Sequence, residues 1–389
     1  MEFELWYLIA VPLLFASGWW LRGLDARQRK GERNNIDDQY FKGLSLLLSD
    51  EPDKAVDVFI EVVRLDEDTI ELHHALGNLF RRRGQFERAI RLHSFLVNRA
   101  ELPERERAKA MSELSLDYLK AGMYDRAEAA YEKLAEFKGR ENEANEALMH
   151  IYVTEREWVK AIETARKLSG AGRKLNHEIS HYYCELAAIA RLAKDSARAH
   201  EYTRSALAQN AENPRALALS ADLALEAGDR AAALAAWDKI ERTRPEYLPL
   251  IAAKKADVLA ETDHEKALSY LREAFATTGS VDVLKAFVQR TAVWVDEASA
   301  MNVASDALKS RPSLSTLSVI SSLKAKANPC DEQAKILADI AARQSKITAR
   351  YQCRHCGFLA HTFSWQCPGC EQWDTFPPLG DDEVRQARR

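Results

Sequence analysis

The sequence predicts an all-α protein: a superhelical solenoid of about eight or nine stacked helix pairs, preceded by an apolar helix and closed by a small metal-binding unit. Three observations predict it. An uncharged run bordered by aromatic residues opens the chain, small residues recur at a near-constant interval through its middle, and four of its six cysteines close it in two tight pairs. The bulk composition agrees. Gly (15) and Pro (11) are few among 389 residues and alanine is abundant, which favours long helices over strands. Hydrophobic residues make up 47% and charged residues 29%, too apolar for disorder. The net charge of −4 provides no global basic field, so no nucleic-acid partner is expected.

The opening run, Leu5 to Leu21 (LWYLIAVPLLFASGWWL), carries no charge and reaches the short end of what spans a bilayer as a helix. Trp6, Tyr7, Trp19 and Trp20 lie near its ends, where amphipathic rings favour the membrane–water interface. A cleaved signal peptide would carry its positive charges before the run; here Glu2 and Glu4 precede it, and Arg22, Arg27, Arg29, Lys30 and Arg33 follow. The reading is a single-pass anchor over 1–22 with Leu5, Trp6, Trp19, Trp20 and Leu21 at its borders, then a basic juxtamembrane linker over 23–35. The positive-inside rule puts the N-terminus outside and the remainder in the reducing cytoplasm.

The middle of the chain, 36–345, is set by Ala55, Ala89, Ala127, Ala161, Ala199, Ala233, Ala267, Ala300 and Ala334. Their spacing is 33 or 34 residues except for two steps of 38, the period of tetratricopeptide (TPR) helix pairs. Around them fall Leu76, Gly77, Phe80 and Gly84, then Leu114, Tyr118, Gly122 and Tyr131, and later Tyr152, Gly228, Trp237, Pro245 and Pro312. In each unit the small residue admits the second helix close to the first, an aromatic fills the gap beside it, and glycine makes the turn. The two longer steps predict an added helical turn or longer loop near 101–107 and 169–174. The repeats after about residue 245 are degenerate. Such an array presents a groove of first helices, in which Asn78, Arg81, Arg82 and Lys109 are expected to meet an acidic or C-terminal peptide segment.

His177-Glu178-Ile179-Ser180-His181 matches H-E-x-x-H, in which two histidines on one helical face bind zinc and the glutamate polarises water. Glu201 lies where a third ligand can stand. The segment falls in a TPR first helix, and no β-sheet pattern accompanies it, so a metal-dependent hydrolase is the alternative and not the main reading. No phosphate-binding loop or nucleophile elbow occurs.

The last unit, 346–380, holds Cys353-x2-Cys356 and Cys367-x2-Cys370, followed by a tail over 381–389. Two such knuckles facing one another make a sulfur cage for one Zn²⁺ or a single iron. The segment FLAHTFSW between them alternates as a short hairpin would. Thiol exchange would require a thioredoxin-like pattern, and nucleic-acid binding would require basic residues, of which Arg354 is the only one between Cys353 and Arg385. A metal clasp remains, with Phe358, Phe363 and Trp365 expected to contact the last helices of the array. The isolated Cys184 and Cys330 read as small buried hydrophobes.

The combination of anchor, array and knuckle pair resembles the lipopolysaccharide assembly protein B family of Gram-negative bacteria, most closely in ALGNLFRRRGQFERAIRLH (75–93), AGMYDRAE (121–128), HYYCELA (181–187) and YQCRHCGF…WQCPGC. The resemblance implies a non-enzymatic adaptor of the inner membrane that tunes lipopolysaccharide synthesis. It would promote turnover of the lipid A deacetylase LpxC by the membrane protease FtsH, alongside other inner-membrane assembly proteins. It also implies a rubredoxin-like metal domain on Cys353, Cys356, Cys367 and Cys370. Glu371 departs from the pattern, standing where glycine is usual. A homodimer is compatible with the resemblance, as is a more general membrane-tethered assembly scaffold; a membrane-bound electron carrier is the third class.

Overall fold

The computed structural model describes residues 70–328, 330–347 and 349–378, with a few isolated positions before residue 70. Among the described residues, no helix is long and apolar enough to cross a membrane. The run Leu5–Leu21 with its border tryptophans, the basic linker, the repeat around Ala55 and the tail lie outside the described residues. The chain divides into two compact units, 1–156 and 157–389.

In the first unit five helices follow one another: α1 (Ile70–Arg82), α2 (Phe86–Asn98), α3 (Glu104–Lys120), α4 (Tyr124–Leu134) and α5 (Glu141–Thr154). Consecutive helices pack, and α1 also touches α3, as stacked pairs require. The repeat alanines do what their spacing predicts: Ala89 and Ala127 are wholly buried. Gly77 has a distinct reason. A Cβ there would fall 2.4 Å from His93 Nε2, so only glycine lets α1 lie against that buried ring. His93 occupies the place, four residues after the alanine, that Tyr131 fills in the next pair.

The second unit continues with α6 (Trp158–Gly170), α7 (Asn176–Leu192), α8 (Ser196–Gln209), α9 (Pro214–Glu226), α10 (Arg230–Thr243), a 3-10 turn (Pro245–Tyr247), α11 (Leu248–Ala260), α12 (His264–Thr278), α13 (Val281–Trp294), α14 (Glu297–Ser310), α15 (Leu314–Ala327) and α16 (Glu332–Ile347). Ala161, Ala199, Ala233, Ala267 and Ala300 are all wholly buried, whereas Ala334 is only half-buried, so the pattern lapses at the last helix. Asp195, Asn213, Asp229, Asp263, Asp296 and Ser313 accept backbone N–H bonds at the starts of α8, α9, α10, α12, α14 and α15. Each such cap stabilises its helix by about 1 kcal/mol.

Both longer steps of the repeat lie where the spacing puts them. The loops before α3 and α7 run over 99–103 and 171–175, and α3 and α7, at 17 residues each, are the longest described helices. Successive first helices are joined by ions: Arg191 of α7 bonds Asp222 and Glu226 of α9, Lys254 of α11 also takes Asp222, and Arg290 of α13 takes Asp257 of α11.

The chain then forms a small ribbon. β1 (Tyr351–Gln352) pairs antiparallel with β2 (Leu359–Ala360), Tyr351 opposite Ala360, and a single bridge joins Gln366 to Trp373. The hairpin therefore closes across the first knuckle and not within FLAHTFSW as the alternation suggested, because the knuckle itself supplies the turn.

Candidate metal centre

Each knuckle is a tight turn built by its own backbone. In the first, the Gly357 N–H bonds the Cys353 carbonyl and the Cys353 N–H bonds the Phe358 carbonyl; in the second, the Glu371 and Cys367 N–H groups bond the Cys367 and Gln372 carbonyls. The fourth residue after the leading cysteine is left-handed in both, Gly357 at φ 76° and Glu371 at φ 59°. The backbone thus keeps its turn although Glu371 replaces the glycine that suits it, a strain of order 1–2 kcal/mol.

The turns aim four sulfurs at one point. Cys353 Sγ lies 3.7 Å from Cys370 Sγ, and Cys356 Sγ lies 3.7 Å from Cys367 Sγ. All four fall within 4.8 Å of one another. A tetrahedral cage with metal–sulfur bonds of about 2.3 Å has sulfurs about 3.8 Å apart, so these residues fit a metal ion as they stand. His355 and Cys356 N–H groups donate to Cys353 Sγ, and Gly369 N–H donates to Cys367 Sγ, each at 3.4 Å. Burial raises the Cys353 thiol, but Thr375 and these N–H groups outweigh it and hold it at about 6. At Cys370 the Gln372 N–H lowers the thiol, yet burial and the adjacent sulfurs push it up to about 12. Cys353 and Cys370 are thus driven in opposite directions, and a bound cation would remove that conflict.

The ribbon docks on the second unit, and the place is not the expected one. Phe363 and Trp365 pack on Tyr247 in the 3-10 turn between α10 and α11, with Trp365 stacked at 5.4 Å. Phe358 stays 42% exposed, and its ring meets Phe376 and lies beside Gly369 within the ribbon itself. The principal anchor is Trp373, which the sequence reading missed. It stacks on His181 of α7 at 4.7 Å and meets Trp158 and Tyr182 edge-on. The Tyr247 hydroxyl donates to the Asp374 carbonyl, and Arg350 pairs with Asp282 of α13 at 2.7 Å. The ribbon therefore meets α6, α7, α13 and the Tyr247 turn, well before the end of the array. The tryptophan three residues beyond the second knuckle was the available signal.

His177 and His181 do share one face of α7, as the H-E-x-x-H spacing implies. Glu201 is exposed on α8 and is not their companion; Asp374 is, with its carboxylate 3.1 Å from His181 Nε2 and 3.9 Å from His177 Nε2. Burial is the largest influence on His181 and holds it below its ordinary value. Cys184 is wholly buried as expected, its thiol raised to about 12 by burial, but Cys330 is exposed, contrary to expectation.

The groove residues separate into two kinds. Arg81 donates to Asp117 at 2.9 Å and to Glu113 at 2.6 Å, and also bonds Asn78. Asp117, itself wholly buried, lies 2.5 Å from His93 Nδ1. Asn78 and Arg81, two of the four residues expected in the groove, thus belong to an internal network. Arg82 and Lys109 are exposed.

Comparison with known proteins finds relatives of both the ribbon and the repeats. The family described as "Rubredoxin metal binding domain" matches residues 351–378, and "Tetratricopeptide repeat" matches 72–94. Lipopolysaccharide assembly protein B of Haemophilus influenzae is 27% identical, covering 98% of this chain and 99% of the relative. Its counterpart in Escherichia coli K12 is 30% identical, covering 97% of this chain and 98% of the relative. On that match of repeats, knuckles and nearly full length, the chain belongs to the lipopolysaccharide assembly protein B family.

Proposed function

We propose that this protein is a non-enzymatic adaptor of lipopolysaccharide assembly, tethered by residues 1–22 to the bacterial inner membrane, with its N-terminus periplasmic and its array in the cytoplasm. In this reading it brings the lipid A deacetylase LpxC to an FtsH-type membrane protease. Tethering adaptor and protease to one surface raises their effective concentration and makes the encounter nearly intramolecular. The observation that carries the reading is the docked ribbon: in the second unit the cysteine cluster is packed by Trp365 and Trp373 onto a helix array, the build of a scaffold in a chain of this family.

Cys353, Cys356, Cys367 and Cys370 would hold one zinc or one iron, whose role is to fold the ribbon. Arg82 and Lys109 are the cations open to an acidic partner segment. The hydrolase alternative is weakened by the same packing. His181 is wholly buried under Trp373, so a peptide cannot reach it.

The test is deletion of residues 1–22 in cells, with LpxC measured by immunoblot. The deacetylase should accumulate while the truncated protein stays folded. Unchanged LpxC with the anchorless protein would refute the tethering reading.

A further inference from the structure

We propose that His177, His181 and Asp374 form a second divalent-cation site, separate from the four cysteines, which pins the ribbon to α7. The three side chains offer one ligand atom each, all within 4.8 Å of one another. Nitrogen and oxygen ligands about 2.0–2.1 Å from a tetrahedral zinc lie about 3.3 Å apart. The Asp374 oxygen is 3.1 Å from one imidazole nitrogen and 3.9 Å from the other, so small side-chain rotations close the set.

The chemistry of the pocket calls for such an ion. The His181 side chain is wholly buried and the Asp374 side chain 4% exposed. Yet their 3.1 Å approach to one another is the contact they share, and no well-formed hydrogen bond from the other described residues reaches either ring nitrogen of His181 or either carboxylate oxygen of Asp374. A buried carboxylate left so costs several kcal/mol, and native structures fill such places with a partner or an ion. Two arginines lie within electrostatic reach, Arg215 of His181 and Arg244 of Asp374, but Arg215 gives its guanidinium to Glu185 and Arg244 gives its Nε–H to Glu246.

The frame is built on both sides. The helical i, i+4 spacing brings both histidines to one face. Asp374 is held through its backbone, its carbonyl accepting from Tyr247 and its N–H donating to the Trp365 carbonyl. Trp373 covers His181, while His177, 40% exposed, leaves an opening for the ion and for a water as fourth ligand. Two imidazoles and a carboxylate suit a borderline divalent ion such as Zn²⁺, unlike the soft sulfur cage beside it. A site shared by α7 and the ribbon would make docking depend on the cation.

The experiment is Zn²⁺ titration of the metal-free full-length chain, with bound metal counted by elemental analysis. Two equivalents are expected. The His177→Ala and Asp374→Asn variants should each bind one, or hold the second at least about tenfold more weakly. Co²⁺ separates the sites: the thiolate charge-transfer bands of the cysteine cluster should persist in both variants. His177 is half-exposed and Asp374→Asn keeps its shape, so folding is readily checked by circular dichroism. A single equivalent in the parent chain, or two undiminished equivalents in either variant, would overturn the proposal.

Discussion

Arg81 and Arg191 stand at the same place in their repeats, each eight residues before the repeat alanine, and each reaches across to a carboxylate pair on the next first helix. Their surroundings differ. In the first unit Asp117 is wholly buried and bonded to a buried His93; in the second, Arg191 is 37% exposed and Glu226 half in solvent. One sequence pattern therefore builds a buried network in one unit and a surface ladder in the other. A surface pair stabilises by about 0–1 kcal/mol, but a buried charge that loses its partner destabilises by about 3–5 kcal/mol. The second unit has instead a docked ribbon built around the four-cysteine cluster.

The largest expected effect breaks the second unit alone. Cys367→Ser should abolish metal binding at the cysteine cluster, where apparent binding energies of about 10–16 kcal/mol are typical of small zinc units. Hydrogen exchange should then show α7 and the Tyr247 turn losing protection, with α1 to α4 unchanged. Loss of protection in both units would break the comparison.

Next, Asp117→Ala strips Arg81 and His93 of the one partner they share. It should destabilise the first unit by about 3–5 kcal/mol in denaturant titration, with metal content unaltered.

Acid should act through the same network. Burial first, then the Lys109 charge and His93, hold His74 at about 4, below its ordinary 6.5. The unfolded chain thus binds the proton more readily, so the contribution is complete above pH 6.5 and is lost as pH falls from there toward about 4. Amide protection in α1 and α2 should fall over that window, and His74→Leu should flatten the dependence.

The smallest effect sharpens the contrast. Asp222→Ala, which removes the shared partner of Arg191 and Lys254, should cost about 1 kcal/mol or less by thermal unfolding. A cost equal to that of Asp117→Ala would mean the exposed ladder is as important as the buried network.

Much of the fold was legible because its signals are local. The alanine spacing registers a contact made in each described pair from Ala89 to Ala300, and α3 and α7 took the extra turn that the longer steps announced. The cysteine cluster was legible for the same reason: each knuckle is a turn within five residues, and only sulfur donors in that spacing form a cage. The candidate site was less so. Arg81 and Arg82 are adjacent in sequence and cationic alike, and nothing in the string says which one meets Asp117. H-E-x-x-H suggested a companion 20 residues on, while the actual one, Asp374, comes from the far end of the chain.

The sequence by itself determined the helices, their pairing and the four converging thiols, since each depends on residues within one repeat or one turn. Tertiary structure decided where the ribbon docks, which arginine is buried, and that His181 lies beneath Trp373. Those outcomes depend on surfaces assembled from distant segments, where burial and not spacing sets the energy of a charge or a ring.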